Sequence, residues 1–317
     1  MAILLRESDV QKLASMEMAL EAVEEAFRLQ GDKKTDNVPR RRCRIVRGIL
    51  HVMSASLPTL GWAGLKSYTS VEGQVRFHVI LYSGEDGQPL AVIEAGLLGQ
   101  LRTGAATGVA TKYMSRAGAS RLGIIGTGLQ ARSQLAAVCA VRPIKNILAY
   151  GRDEERRRRF CNEMSEMLGI HVEAASEPAQ AVKDMDIVVT ATNSKEPVFG
   201  GEWLAPGTHL NAVGSNHLSR RELDVEAVRR SACVVVDSIE QALIESGDLI
   251  SAAEAGAFYW EDARELGLVV IGDFPGREDD NEITLFKSNG IALEDVALAG
   301  RIYQAAVKAG IGEPLPL

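Results

Sequence analysis

Nine residues, GIIGTGLQA from Gly123 to Ala131, have the composition and spacing of a loop that can hold a phosphate. Gly126 and Gly128 follow an apolar run and precede a helical one, and Ala131 occupies the third small position of the pattern. One glycine permits a tight turn, the next lets backbone N–H groups approach a pyrophosphate, and the start of the helix adds partial positive charge. Gly126, Thr127 and Gly128 are therefore expected to bind a dinucleotide. About twenty residues further on, dinucleotide domains that prefer NAD place an acid on the ribose 2′-OH. Here the chain reads Tyr150-Gly151-Arg152-Asp153. A guanidinium at Arg152 can pair with a 2′-phosphate, so NADP(H) is the expected cofactor, and Asp153 keeps NAD(H) open. The following arginines, Arg156 to Arg159, alternate with Glu154 and Glu155 as on a solvated helix face.

Three further cations could face a small acid: Arg40 in VPRRR, Lys66 in GWAGLKSY and Arg102 in QLRTGAATG. Singly, each reads as a solvated charge or a local ion pair. Lys66 stands apart because its flanks are apolar and glycine-rich, and a lysine there is costly to bury unless it meets an anion. Arg102-Thr103-Gly104 opens a segment of small residues, as a close-packed helix under a cofactor would. The histidines lack HxxxH spacing, and Cys43, Cys139, Cys161 and Cys233 form no CxxC pair. Neither a metal site nor a disulfide framework is expected, and the cysteines read as small buried hydrophobes in a reducing compartment. His217, beside Asn216, reads as a surface loop residue.

These residues need two kinds of scaffold. At about 150 residues per domain, the 317 residues suggest two domains, with 46% hydrophobic and 24% charged side chains to build and solvate their cores. The net charge of -7 would repel a nucleic-acid backbone. No apolar stretch approaches the roughly 18 residues of a membrane span, and MAILLRESDV turns acidic too early for a secretory leader. A cytoplasmic protein with neither nucleic-acid nor membrane partner is expected.

The chain changes rhythm near Ala117. Before it, Met16, Leu20, Val23 and Phe27 recur at helical spacing, Val75, Phe77, Val79 and Leu81 alternate as in a half-buried strand, and GEDGQP reads as a hairpin turn. An exposed edge in that hairpin is a plausible meeting point for two protomers. After it, six apolar runs alternate with helical stretches: LGIIG at Leu122, NILAY at Asn146, DIVVTAT at Asp186, HLNAVGS at His209, CVVVDS at Cys233 and LVVIGD at Leu268. Such runs imply a parallel sheet covered on both faces, and six suit a doubly wound domain. Ala292, Val296, Gly300, Tyr303 and Val307 then mark an amphipathic helix that returns to the first zone. The fold class is α/β: a Rossmann doubly wound parallel sheet (117–289) plus a discontinuous α+β domain (1–116 with 290–317).

The motifs RTGAATG, GIIGTGLQAR, DIVVTAT, the W-x-x-P-G-x-H run at Trp203 to His209, NAVGSN with RRELD, VDS with ESGDL, and EITLFKSNGIALEDVA occur in order. By these the chain resembles the ornithine cyclodeaminase and mu-crystallin family over nearly its whole length. The resemblance implies a homodimer of two-domain subunits, with 1–116 and 290–317 as the substrate and dimerisation domain and 117–289 as the Rossmann domain. It also implies NAD(P)-dependent chemistry on small amino or imino acids, the family's activities being cyclodeamination of ornithine, alanine dehydrogenation and ketimine reduction. It places Arg40, Lys66, Arg102 and Asn289 around the substrate, and Arg102, Thr103, Leu129, Gln130, Thr190, Thr192, Val213, Gly214 and Ser288 near the cofactor. Lys66 and Asn216 are the implied catalytic residues. Where cyclodeaminases carry an aspartate that accepts the amine proton, this chain has Asn216, a neutral amide that cannot act as a general base. Where they have a glutamate near the substrate's amino groups, it has His51. Both departures favour an NAD(P)H-dependent reductase of 2-imino acids, such as the cyclic 1-pyrroline-2-carboxylate. An ornithine cyclodeaminase and an NADPH-dependent ligand-binding protein of the crystallin type are the alternatives.

Overall fold

The computed structural model of the chain describes residues 2–316, which form two compact units. One runs to Thr103 and resumes at Gly290; the other is Gly104–Asn289. The rhythm of the sequence put this change near Ala117, whereas the contacts put it inside a helix. The helix Gly96–Met114 takes its later residues into the second unit: Thr111 Oγ1 accepts from Asn211 (3.1 Å) and Lys112 O from Arg142 (2.6 Å).

The first unit holds helices α1 (Glu7–Leu13) and α2 (Met16–Gly31), the start of α3 (Gly96–Met114), and strands β1 (Ala2–Leu5), β2 (Asp36–Ile45), β3 (Gly48–Leu57), β4 (Trp62–Val71), β5 (Gln74–Ser83) and β6 (Pro89–Glu94). Strands β2 to β6 form an antiparallel meander, β1 adds parallel to β6, and the short strand Glu313–Leu315 closes the far edge. The GEDGQP turn joins β5 to β6 as expected. The hairpin offers no free edge, however: β5 is hydrogen-bonded to β4 on one side and β6 on the other. The edges are β2 and Glu313–Leu315, because later chain returns to cover what the local pattern left open.

Burial alternates along β3 and β4. Trp62, Gly64 and Lys66 point to one face, with Met53, Ala55, Val79 and Leu81 beside them in register. That face meets the closing helix, Ala292–Ala309: Lys66 bonds Asp295, and Val296 packs over Gly64. The helix is buried on every side from Ala292 to Gly300, so the expected single stripe holds only for its last turns. There it falls on Ile302 and Ala306, while Val307 is 58% exposed.

The second unit is built on eight parallel strands: β7 (Arg121–Ile125), β8 (Asn146–Tyr150), β9 (Val172–Ala174), β10 (Ile187–Thr190), β11 (His209–Ala212), β12 (Ser231–Val236), β13 (Arg264–Glu265) and β14 (Ile283–Lys287). Their order, β13-β12-β14-β11-β10-β7-β8-β9, reverses between β7 and β10, which makes that pair the switch point of a doubly wound Rossmann sheet. Helices α4 (Leu129–Val141) and α5 (Glu154–Leu168) follow β7 and β8.

One expected strand is a helix. LVVIGD belongs to Leu266–Ile271, which buries Leu266, Gly267, Val269 and Val270 and ends on Gly272 at φ 82°. A short apolar run bears no period that separates a strand from one buried helical turn. The strand is ITLFK instead, buried along its whole length between β11 and β12. Of the cysteines only Cys161 is buried, and Cys43 is exposed because edge strand β2 turns it outward. Among the described residues no helix is long and apolar enough to cross a membrane, and no group of three or more His, Cys, Asp or Glu could hold a metal ion.

Candidate cofactor cleft and acid-binding cluster

A cleft of about 670 Å³ opens at the carboxyl ends of β7, β8, β10 and β11, the place a doubly wound sheet offers a ligand. Gly126, Thr127, Gly128, Leu129, Gln130, Arg152, Thr192, Val213 and Gly214, all expected at the cofactor, line it. Gly126 has φ 116°, and a Cβ there would lie 2.4 Å from Ala191 O. Only glycine fits, and the turn it makes is pinned by its N–H donating to Tyr150 O (2.8 Å). Gly128 begins α4 with no side-chain cap, at a helix end whose partial positive charge suits an anion. This cradle fits a dinucleotide pyrophosphate. NAD(P)(H) bound there would be held by Gly126 to Gln130 and would supply hydride.

Arg152 is exposed on the rim, and Arg156, expected only on a solvated face, lines the cleft with it. Asp153, the acid that kept NAD(H) open, caps α5: its Oδ1 accepts from Arg156 N at 2.8 Å. Arg157 stacks over Tyr150 and donates to Gly151 O (2.7 Å), which holds the loop's backbone. The Arg158–Glu154 pair (2.6 Å) forms the expected solvated face.

Behind the cleft is a buried polar network that spacing did not reveal. Glu222 accepts from Thr190 Oγ1 (3.0 Å), Thr192 N (2.6 Å) and Gly214 N (2.7 Å), tying the ends of β10 and β11 together. Asp248 accepts from Glu222 N (2.6 Å), and Lys287 bridges Asp248 (2.9 Å) and Ser215 O (2.7 Å). Burial pushes the Glu222 carboxyl above its usual range; the Lys287 ammonium opposes this and Asp248 adds to it. Thr190 therefore lies behind the cleft wall and not in its lining. Glu222, Asp248 and Lys287 all fall in the ordered motifs, but which partners they have depends on sheet order.

In the first unit the three weak single cations come together. Arg40, Lys66 and Arg102 are 3%, 2% and 7% exposed. Lys66 Nζ and Arg102 Nε share Asp295 Oδ1 at 2.7 and 3.1 Å, Arg102 Nη1 bonds Glu294 at 2.7 Å, and Arg40 Nη2 donates to Gly290 O at 2.9 Å. Each is brought by a different device. Arg40 turns inward where the β2–β3 register shifts between Val38 and Arg41, a bulge at Pro39. Lys66 falls on the inner face of β4 by alternation. Arg102 stands on α3, whose first N–H, at Gly96, is capped by Glu7 (3.1 Å). Gly290 has φ 77°, and a Cβ there would come 2.7 Å from Arg102 Nη1. Burial, with the nearby Arg102 charge, pulls the Lys66 ammonium down to about 8, against the opposing pull of Asp295. The anion that Lys66 required is thus a protein carboxylate, from the ED pair of EITLFKSNGIALEDVA.

The other expected residues have partners of their own. Ser288 Oγ and Asn289 N both donate to Asp237 (3.0 and 2.7 Å) and are buried. Asn216 is exposed in the loop after β11, next to exposed His217, whose ring meets Ser219. Thr103 donates to Gly99 O within α3. His51 is buried in β3 and stacked flat on Tyr68, centroids 4.1 Å apart.

Fold and cleft together define a Rossmann-type oxidoreductase with a second, antiparallel-sheet unit. Residues 2–310 match the model of the Ornithine cyclodeaminase/mu-crystallin family. Delta(1)-pyrroline-2-carboxylate reductase from Bacillus cereus is 42% identical over 238 residues, covering 75% of this chain and 73% of that protein. The solved structure of Thermococcus litoralis Delta(1)-pyrroline-2-carboxylate reductase in complex with NADH and L-proline superposes with TM-score 0.94 at 38% identity, covering 99% of this chain and 100% of that one. An archaeal alanine dehydrogenase dimer with bound NAD gives TM-score 0.94 and 38% identity, covering 100% and 99%. The chain belongs to the ornithine cyclodeaminase/mu-crystallin family.

Proposed function

We propose that this chain is an NADPH-preferring reductase of 2-imino acids, with cyclic ketimines such as 1-pyrroline-2-carboxylate as substrates and amino acids as products. The observation that carries the reading is convergence: Arg40, Lys66 and Arg102, distant from one another in sequence, are buried in one cluster with Glu294 and Asp295. Such a gathering of cations suits a substrate carboxylate. An arginine fork fixes its plane, and the lysine supplies a point charge. The substrate's C=N carbon then needs only orientation for hydride transfer. Relatives that act on pyrroline-2-carboxylate and bind NADH with proline support this substrate class.

Asn216 would hold the substrate through its amide, and Asn289 would help to line the acid site. Arg152 and Arg156 on the cleft rim, with Asp153 engaged as a helix cap, support a 2′-phosphate and hence NADPH over NADH. We further infer a homodimer, as in the archaeal relative, formed through the face of the antiparallel sheet opposite the closing helix, where Val52, Leu65, Ile80 and Val92 are only half-buried. Four cysteines present as free thiols suit a cytoplasmic setting.

The test is oxidation of NADPH and NADH against a panel of cyclic imino acids, and against pyruvate with ammonium as the source of a linear imine, at mildly acidic pH. Turnover of the cyclic imines with NADPH is expected. No turnover with any of them would overturn the reading. Proline and ammonia released from ornithine with catalytic NAD would replace it with a cyclodeaminase, and tight NADPH binding without turnover would replace it with a ligand-binding protein.

A further inference from the structure

Beside the cation cluster, on the same face of the antiparallel sheet, is a row of rings. His51, Tyr68 and Phe77 are partners in register across β3, β4 and β5. His51 and Tyr68 are stacked at 4.1 Å and 4°, and Phe77 is tilted against Tyr68 at 5.0 Å. The next row is Met53, Lys66 and Val79, and Lys66 Nζ stands 5.1 Å from the Phe77 centroid. His51 is buried, whereas Tyr68 and Phe77 keep part of their surface. The closing helix meets β4 at Gly64 and Lys66, so it covers the face up to the lysine.

On the reductase reading above, we propose that Tyr68 and Phe77 form the subsite for the substrate's side chain, and that the subsite selects a flat ring over a short linear imino acid. Two observations carry this. Residues two apart on a strand are spaced by about 6–7 Å, so an acid group held at Lys66 leaves its C2 substituent heading over the Tyr68 and Phe77 surfaces. A five- or six-membered ring reaches further along that face than the single methyl of a pyruvate-derived imine. Stacking favours the flat ring further, since His51 backs Tyr68 and fixes its plane.

The experiment measures kcat/KM for 1-pyrroline-2-carboxylate relative to that for pyruvate with ammonium, in the full-length enzyme and in Tyr68→Leu, Phe77→Leu and Tyr68→Phe. The leucine variants keep apolar bulk and remove the flat ring. Each should lower the ratio about three- to tenfold, and Tyr68→Phe should restore it. Should Tyr68→Leu fail to fold, Phe77→Leu, at the less buried end of the row, carries the test. Ratios within twofold of wild type in folded leucine variants would overturn the subsite and leave the reductase reading intact. Absence of turnover by the wild-type enzyme on either imine would overturn the reductase reading itself.

Discussion

Replacing Lys66 by methionine separates the two things that lysine does. Its ammonium is one of two donors on Asp295 Oδ1, at 2.7 Å, the other being Arg102 Nε at 3.1 Å. Removing one partner of a buried ion pair ordinarily costs about 3–5 kcal/mol. Because Arg102 stays bonded to Asp295, the expected loss in unfolding free energy is at the low end, about 2–3 kcal/mol. The second loss is in substrate binding. A hydrogen bond to a charged group contributes about 1.5–3 kcal/mol, so kcat/KM for 1-pyrroline-2-carboxylate should fall roughly 10- to 150-fold, mainly through KM. Steady-state NADPH oxidation and urea unfolding on the same preparation read the two effects apart. In the double variant Lys66→Met/Asp295→Asn the unfolding penalty should shrink, while the KM defect persists. The lysine's titration near 8 adds a pH signature: kcat/KM should fall as pH rises through about 8 and the ammonium is lost, and Lys66→Arg should remove that limb. A folded Lys66→Met enzyme with KM within twofold of wild type would refute the role given to the cluster.

Three further outcomes are expected. Arg152→Asp should move cofactor preference toward NADH by at least tenfold in the ratio of kcat/KM values, since a 2′-phosphate loses its pairing cation and meets an anion; an unchanged ratio would place the phosphate site elsewhere. Leu65→Asp, which puts a charge on the open sheet face, should convert a dimer to monomers in sedimentation, and a monomeric wild type would remove that face as an interface. His209 is held neutral by burial, with a lesser push from Arg277, its protonation lowered from 6.5 to about 3. The unfolded chain therefore binds one more proton below pH 6.5, and stability present above that pH is lost as pH falls toward about 3, with a slope of up to about 1.4 kcal/mol per pH unit. His209→Asn should flatten the acid limb measured between pH 6 and 4, and identical slopes would show that the ring is protonated in the folded state.

How much of the site could be read beforehand depended on how local its geometry is. The glycine loop was legible because turn, pyrophosphate approach and helix start all lie within a few residues, and the cleft is lined by Gly126 to Gln130 accordingly. Arg152, at the end of the next strand, lines the same cleft. Arg156 was not legible, because a run of arginines interleaved with glutamates looks the same whether or not one of them turns toward a cleft. LVVIGD failed as a strand because six apolar residues carry no period. The free edge expected in the Val75–Leu81 hairpin failed because β6 and β4 occupy both sides of that strand.

From the order of its residues alone, this protein had a dinucleotide loop, a doubly wound sheet to carry it, a family, and three suspect cations that only the family resemblance grouped. Which carboxylates neutralise them was decided only by folding. Glu294 and Asp295 are more than 190 positions from Arg102 and more than 220 from Lys66, and they meet because the closing helix returns to the inner face of β4. The bulge that turns Arg40 inward, and the register that lines up His51, Tyr68 and Phe77, are likewise properties of strand pairing. A local pattern specifies which face a side chain takes; what it meets there is set by the burial of apolar surface from distant segments.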